Sequence, residues 1–201
     1  MNEIINKEIT QGLMEIKGEA RGTHFKNDAD FVIKEKGKEG LEKVEKELER
    51  LGYPIEYEKI NQFAFYPAGL RAISLLAIKK VFDWPDEKIK ELGAYAMKVS
   101  WIIRIFMKYF FSTEKVFKEA QKTWSQYFTF GELIVEESDL KKKYTILKVK
   151  NFNLHPIYCR CLEGVFLELG KLILKPHKIS CEEIECSFKE GKRHRFLIKW
   201  S

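Results

Sequence analysis

Residues Cys159 to Trp200 read CRCLEGVFLELGKLILKPHKISCEEIECSFKEGKRHRFLIKW, and their patterning decides the architecture. Pro156 to Gly170 has helical spacing, with proline suited to the first turn and glycine as the expected stop. Leu172 to Leu174, Ile179 to Phe188 and Arg193 to Trp200 carry strand patterning, the last two joined by Lys189, Glu190 and Gly191. Immediately upstream, Glu132 to Glu137 and Tyr144 to Phe152 read as an antiparallel strand pair. Before Gly131 the periodicity is helical: a short helix from Glu3 to about Ile16, one capped by Asn27 or Asp28 and ending at Gly37, and one through Leu41, Val44, Leu48 and Leu51 stopping at Gly52. Three longer helices are expected over Pro67 to Phe82, Pro85 to Phe111 and, behind Ser112, Thr113 to about Tyr127. Helices first and a β-β-α-β-β block after them predict one α+β domain over 1–201. Its N-terminal helices, about 1–130, pack on a C-terminal antiparallel sheet, about 131–201.

Composition narrows the function classes. At 201 residues the chain buries a substantial core without needing a metal or disulfide to fold. A hydrophobic share of 45% with 33% charged residues excludes disorder. The most apolar stretch, Trp101 to Phe111, is broken by Arg104 and Lys108, so no membrane span is expected. MNEIINKEI lacks the basic start and apolar core of a signal peptide, and a cytoplasmic protein is expected. The net charge of +6 is spread among interleaved acidic and basic residues, the pattern of a solvated helix face, and predicts no nucleic-acid partner.

The cysteines and histidines carry the candidate chemistry. In a reducing compartment they serve a metal, a reactive thiol or plain packing. A three-residue loop at Lys189 to Gly191 sets Phe188 opposite Lys192, Cys186 opposite His194 and Ile184 opposite Phe196. Side chains directly opposed in this way let a thiolate and an imidazole share one tetrahedral ion. Cys159 and Cys161 sit about 200° apart on a helix, so one of them at most joins the hairpin pair, and Cys161 is the expected one. The candidate metal set is therefore Cys161, Cys186 and His194. A fourth ligand is sought among Glu132, Glu136, Glu137, His155 and His177.

The helix 85–111 is apolar on more than one face and must bury more than one. It is expected to form a core helix, a subunit interface or the wall of an apolar cavity, with Trp101, Phe106, Tyr109 and Phe110 as candidate ligand-binding residues. Phosphate loops, nucleophile elbows, zinc-protease motifs and paired CxxC motifs are missing, and no catalytic residue is assigned.

Cys161-Leu-Glu-Gly164, Cys181-Glu-Glu183-Ile-Glu-Cys186, Gly191, His194, Phe196 and Trp200 together resemble the 4-vinyl reductase, or hydrocarbon-binding, domain. Its fold is that of the TRAPP transport-complex subunits and of NO-signalling and Golgi-transport ligand-binding domains. The likeness covers Tyr158 to Trp200, with His194 standing where the family pattern has a last cysteine. It implies a four-stranded antiparallel sheet with helices, a homodimer, and a non-catalytic protein that binds or senses a small apolar molecule. Some members hold zinc through cysteines and a glutamate, which carries over here to Cys161, Cys186 and His194. The alternative it implies is a TRAPP-like assembly subunit that acts through dimerisation.

Overall fold

A computed structural model describes residues 5–99 and 119–201. Helix α1 (Lys7–Met14) starts behind Asn6, whose side chain accepts the Ile9 N–H at 2.9 Å. Strands β1 (Glu19–Arg21) and β2 (Phe65–Pro67) form a two-stranded antiparallel ribbon. Three-residue strands are too short to show a period, and Pro67, expected to open a helix, closes β2 instead.

Helix α2 (Thr23–Arg50) unites the two helices expected on either side of Gly37, which kinks it at φ 73° where other residues would be strained. Its start lies ahead of the expected cap because Asp28 is spent elsewhere. That carboxylate is fully buried and grips Arg71 of helix α3 (Ala68–Val81) at 2.8 Å. Helix α4 (Asp86–Val99) follows, and a short α5 (Ala120–Ser125) leads into the sheet.

The sheet is formed by β3 (Glu132–Asp139), β4 (Tyr144–Lys150), β5 (Ile179–Glu185) and β6 (His194–Trp200), antiparallel throughout in the order β3-β4-β6-β5. Between the two hairpins runs helix α6 (Ile157–Leu174), giving the expected β-β-α-β-β order and α+β class. Phe166 of α6 meets Phe196 of β6 edge-on, with ring centroids 5.0 Å apart. Helix α6 also lies against α4, and two glycines permit it. A Cβ on Gly93 would overlap the Cys161 carbonyl, and one on Gly164 the Lys90 carbonyl.

Helix α6 runs past Gly170 to a left-handed Lys175, so Leu172 to Leu174 form its last turn rather than a strand. A Cβ at Gly170 would run into Ile179 of β5, and this glycine therefore serves the approach of the sheet instead of ending the helix. Among the described residues, no helix is long and apolar enough to cross a membrane.

Candidate functional site

The hairpin β5–β6 sets the first half of the site. Cys181 pairs with Ile198 and Glu183 with Phe196, after which a bulge moves the register so that Glu185 pairs with Arg195. The expected pairing of Ile184 with Phe196 is thus displaced by one residue. Ile184 swings outward, 43% exposed, while Glu183 turns in beside His194. Residue types alone place Ile184 inward; the bulge puts a carboxylate there.

Helix α6 supplies the other half. Cys159 Sγ stands 3.6 Å from Cys186 Sγ and 3.6 Å from His194 Nδ1, and Glu183 Oε1 lies 2.9 Å from the same Nδ1. Donor atoms of all four residues fall within 4.8 Å of one another. Of the expected set, Cys186 and His194 come together here. Cys161 does not: it faces the opposite side of α6, toward Arg71. A signal for this is present in the sequence. Cys161 and Gly164, three apart, share a helix face, and a glycine that admits another helix turns that face toward α4. Of the upstream candidates for a fourth ligand, Glu132, Glu136, Glu137, His155 and His177, none belongs to this cluster.

A second set of contacts orients these groups. His194 Nε2 lies 2.7 Å from Ser187 Oγ, whose hydroxyl donates to Asn153 Oδ1 at 2.8 Å. At 2.9 Å, His194 Nδ1 is within hydrogen-bond distance of the Glu183 carboxylate. Arg160 holds the other Glu183 oxygen at 3.0 Å and bridges to buried Glu163 at 2.9 Å, which in turn accepts the Glu183 N–H at 2.8 Å. Burial alone would raise the Glu183 carboxyl, but the contacts with His194, Cys159 and Cys186 outweigh it and hold it below its ordinary value. Burial, and then the charge of Glu183 and the adjacent Cys186, push the Cys159 thiol up. Cys159, Glu183 and Cys186 lie in the wall of a polar cleft of about 520 Å³ that Lys79, Lys80, Arg160 and Lys189 also line.

On the opposite side of α6 is a cavity of about 160 Å³. Leu133, Val135, Leu147, Leu162, Phe166 and Ile198 give it apolar walls, and His24, Arg71 and Tyr158 line it too. Arg71 and Asp28 form a two-pronged ion pair with contacts of 2.8 Å, and burial raises the Asp28 carboxyl to about 7 against the pull of that guanidinium. The His24 ring stacks on Phe128 at 4.8 Å. Burial, followed by the charges of Arg71 and Arg21, lowers its pKa to about 3, so it is a neutral imidazole. The candidate ligand residues Trp101, Phe106, Tyr109 and Phe110 lie outside the described residues.

No family model matches the chain, and no curated protein matches it. Solved structures do. An H-NOX protein from S. oneidensis in the Fe(II) ligation state matches with a TM-score of 0.68 at 11% identity, over 90% of this chain and 96% of that one. An oxygen-binding H-NOX domain related to soluble guanylate cyclases, in its oxygen complex, matches with a TM-score of 0.63 at 14% identity, over 90% and 95%. A third, described by heme redox potential tuned through porphyrin distortion, matches with a TM-score of 0.61 at 16% identity, over 90% and 99%. At these identities the likeness establishes the fold alone.

These neighbours correct the expectation of zinc. The metal they are described with is iron, as Fe(II) or in heme, and zinc is withdrawn as the cofactor of this chain. Nor do the described residues fit heme. The cavity is smaller than the 300–1,000 Å³ or so that even drug-sized ligands occupy. Arg71, the cation at its edge, already neutralises Asp28 and is not free for a propionate. His24 is the one imidazole lining the cavity among the described residues.

Proposed function

We propose that the chain is a non-catalytic binding or sensor domain that takes a small apolar molecule in the cavity between α6, α5 and the inner face of the sheet. The observation that carries this is the cavity itself: apolar walls, buried depth and a few convergent polar groups are the usual makeup of a ligand site. The fold shared with an oxygen-binding H-NOX domain supports it. A native mass spectrum of freshly purified protein tests it. One small organic mass per chain, released on denaturation, is the expected result; a bare dimer would instead favour assembly through dimerisation, of the TRAPP kind.

A specific observation supports a second element of the same reading, a cation centre at Cys159, Glu183, Cys186 and His194. The donor atoms lie within 4.8 Å of one another, with separations of 3.6 Å from Cys159 Sγ to Cys186 and His194 and of 2.9 Å from His194 to Glu183, so one cation can reach all four. A cation also favours the thiolates that the bare cluster resists. Placed between the start of α6 and the end of β5, it would clasp helix to hairpin. Elemental analysis is expected to find one transition-metal ion per chain, lost in Cys159→Ser and kept in Cys161→Ser. Metal-free protein, or loss in both variants alike, would overturn it.

A further inference from the structure

One end of the four-stranded sheet gathers positive charge that its own carboxylates do not answer. The β3–β4 turn brings Lys141, Lys142 and Lys143. Strand β6 sets Lys199 beside them, since Tyr144 pairs with Lys199 and the Trp200 N–H donates to the Lys143 carbonyl at 3.1 Å. The segment leaving α6 adds Lys175 and Lys178, the second tied in by the Ser201 N–H, which donates to its carbonyl at 3.0 Å. All six side chains are exposed. Lys142 comes within 3.9 Å of Asp139, and the other five have no ion-pair partner among the described residues. The nearby carboxylates are already engaged, Asp139 by the N–H groups of Lys141 and Lys142 and Glu137 by the Tyr144 hydroxyl. The opposite end of β6 differs, for there Arg195 meets Glu136 at 2.6 Å and Arg193 meets Glu185 at 3.4 Å.

We infer that this end docks on an anionic lipid surface, with the lysines over the headgroups and Leu140 dipping between them. Ammonium groups crowded together repel one another and gain nothing inside the fold, so their counter-charge lies outside it. Roughly four to eight basic side chains in one patch are what an anionic membrane attracts, at about fivefold in affinity for each lysine near the surface. Three observations choose lipid over other polyanions. The turn, the α6–β5 segment and the end of β6 hold lysines and no arginine, whereas base and phosphate recognition in nucleic acids draws on the bidentate guanidinium. Leu140 stands 51% exposed among the lysines, and a membrane interface rewards an apolar side chain beside cations where a phosphate backbone does not. Ile173 and Leu174, just ahead of Lys175, line the apolar cavity, so the docked end is the one from which an apolar molecule dissolved in a bilayer would reach it. This last point rests on the cavity reading; the first two stand without it.

Co-sedimentation of the full chain with vesicles tests this, using equal parts of phosphatidylglycerol and phosphatidylcholine against phosphatidylcholine alone. Binding is expected to the anionic vesicles only. Raising the salt from about 0.1 to about 1 M, which shortens the screening length from about 10 to about 3 Å, should release the protein. Lys141→Glu with Lys178→Glu should weaken binding by at least about 25-fold, from about fivefold for each lysine. Lys143→Gln with Lys199→Gln, which neutralises without reversing, should cost about 25-fold and serves if the first pair does not fold. Lys43→Glu with Lys46→Glu, exposed on α2 and equal in net charge to the first pair, should bind within about threefold of the unaltered protein. No binding to the anionic vesicles, equal binding to the neutral ones, or the same loss in the α2 pair would overturn the inference. So would a tighter hold, at the same salt, on a DNA duplex or on polyglutamate, which would reassign the lysines to a nucleic acid or an acidic protein. None of these outcomes bears on whether the cavity holds a ligand.

Discussion

At the scale of single residues, the assignment turns on which way two cysteines face. Cys159 and Cys161 are two positions apart on α6 and serve opposite sides of it, one toward Cys186 and His194 and the other toward Arg71 and the cavity. Glu183 is the residue that periodicity hides, since its inward turn depends on a bulge that no residue-type rule marks. Glu183→Gln keeps the shape but removes the charge and, through Arg160, loosens the tie to Glu163. Its expected effect is a metal affinity weakened by more than tenfold, read by competition with a chromophoric chelator. His24 gives a pH test. With its folded pKa near 3 and an ordinary value of 6.5, the unfolded chain binds the extra proton, so this group's contribution is present above pH 6.5 and is lost as pH falls toward 3. Denaturant titrations from pH 7 to 4.5 should show the unaltered protein losing more stability than His24→Phe, by no more than about 1.4 kcal/mol per pH unit.

At the scale of elements, glycine carries two opposite meanings, and sequence alone confused them. Gly37 breaks the backbone as expected, though it kinks a helix instead of separating two. Gly164 and Gly170 are sites of close approach, to α4 and to β5 respectively, and Gly170 ends nothing. The α-helices other than the six-residue α5, and the four long strands, were legible because each shows its period over at least seven residues. Beyond the reach of a single sequence were the rotation of α6 about its axis, which selects Cys159 over Cys161, and the bulge in β5. Both are set by what packs alongside, through Gly93, Gly164 and the inward carboxylate. Gly164→Ala should therefore destabilise by about 1–3 kcal/mol, because its methyl meets the Lys90 carbonyl, a backbone atom that cannot rotate away. Gly12→Ala, exposed in α1 with open space around it, should stabilise by roughly 0.5–1 kcal/mol. Thermal melts of the two variants should shift in opposite directions.

At the scale of the whole molecule, α6 is the divider. One of its faces closes the cavity against the sheet, and its first turn meets the Cys, His and Glu cluster at the end of the β5–β6 hairpin. The helix that lines the cavity also carries Cys159. The H-NOX likeness establishes the fold, while the cavity size and the ion pair of Arg71 do not fit a macrocycle. The most direct test of the central claim is a methyl-labelled NMR titration with toluene, a ring small enough for the cavity. Saturable shifts are predicted at Leu133, Leu147, Leu162 and Ile198, which line it, with exposed Leu140 and Ile184 unmoved. Absence of saturable shifts at the lining methyls, or shifts confined to the exposed ones, would contradict a ligand-binding cavity.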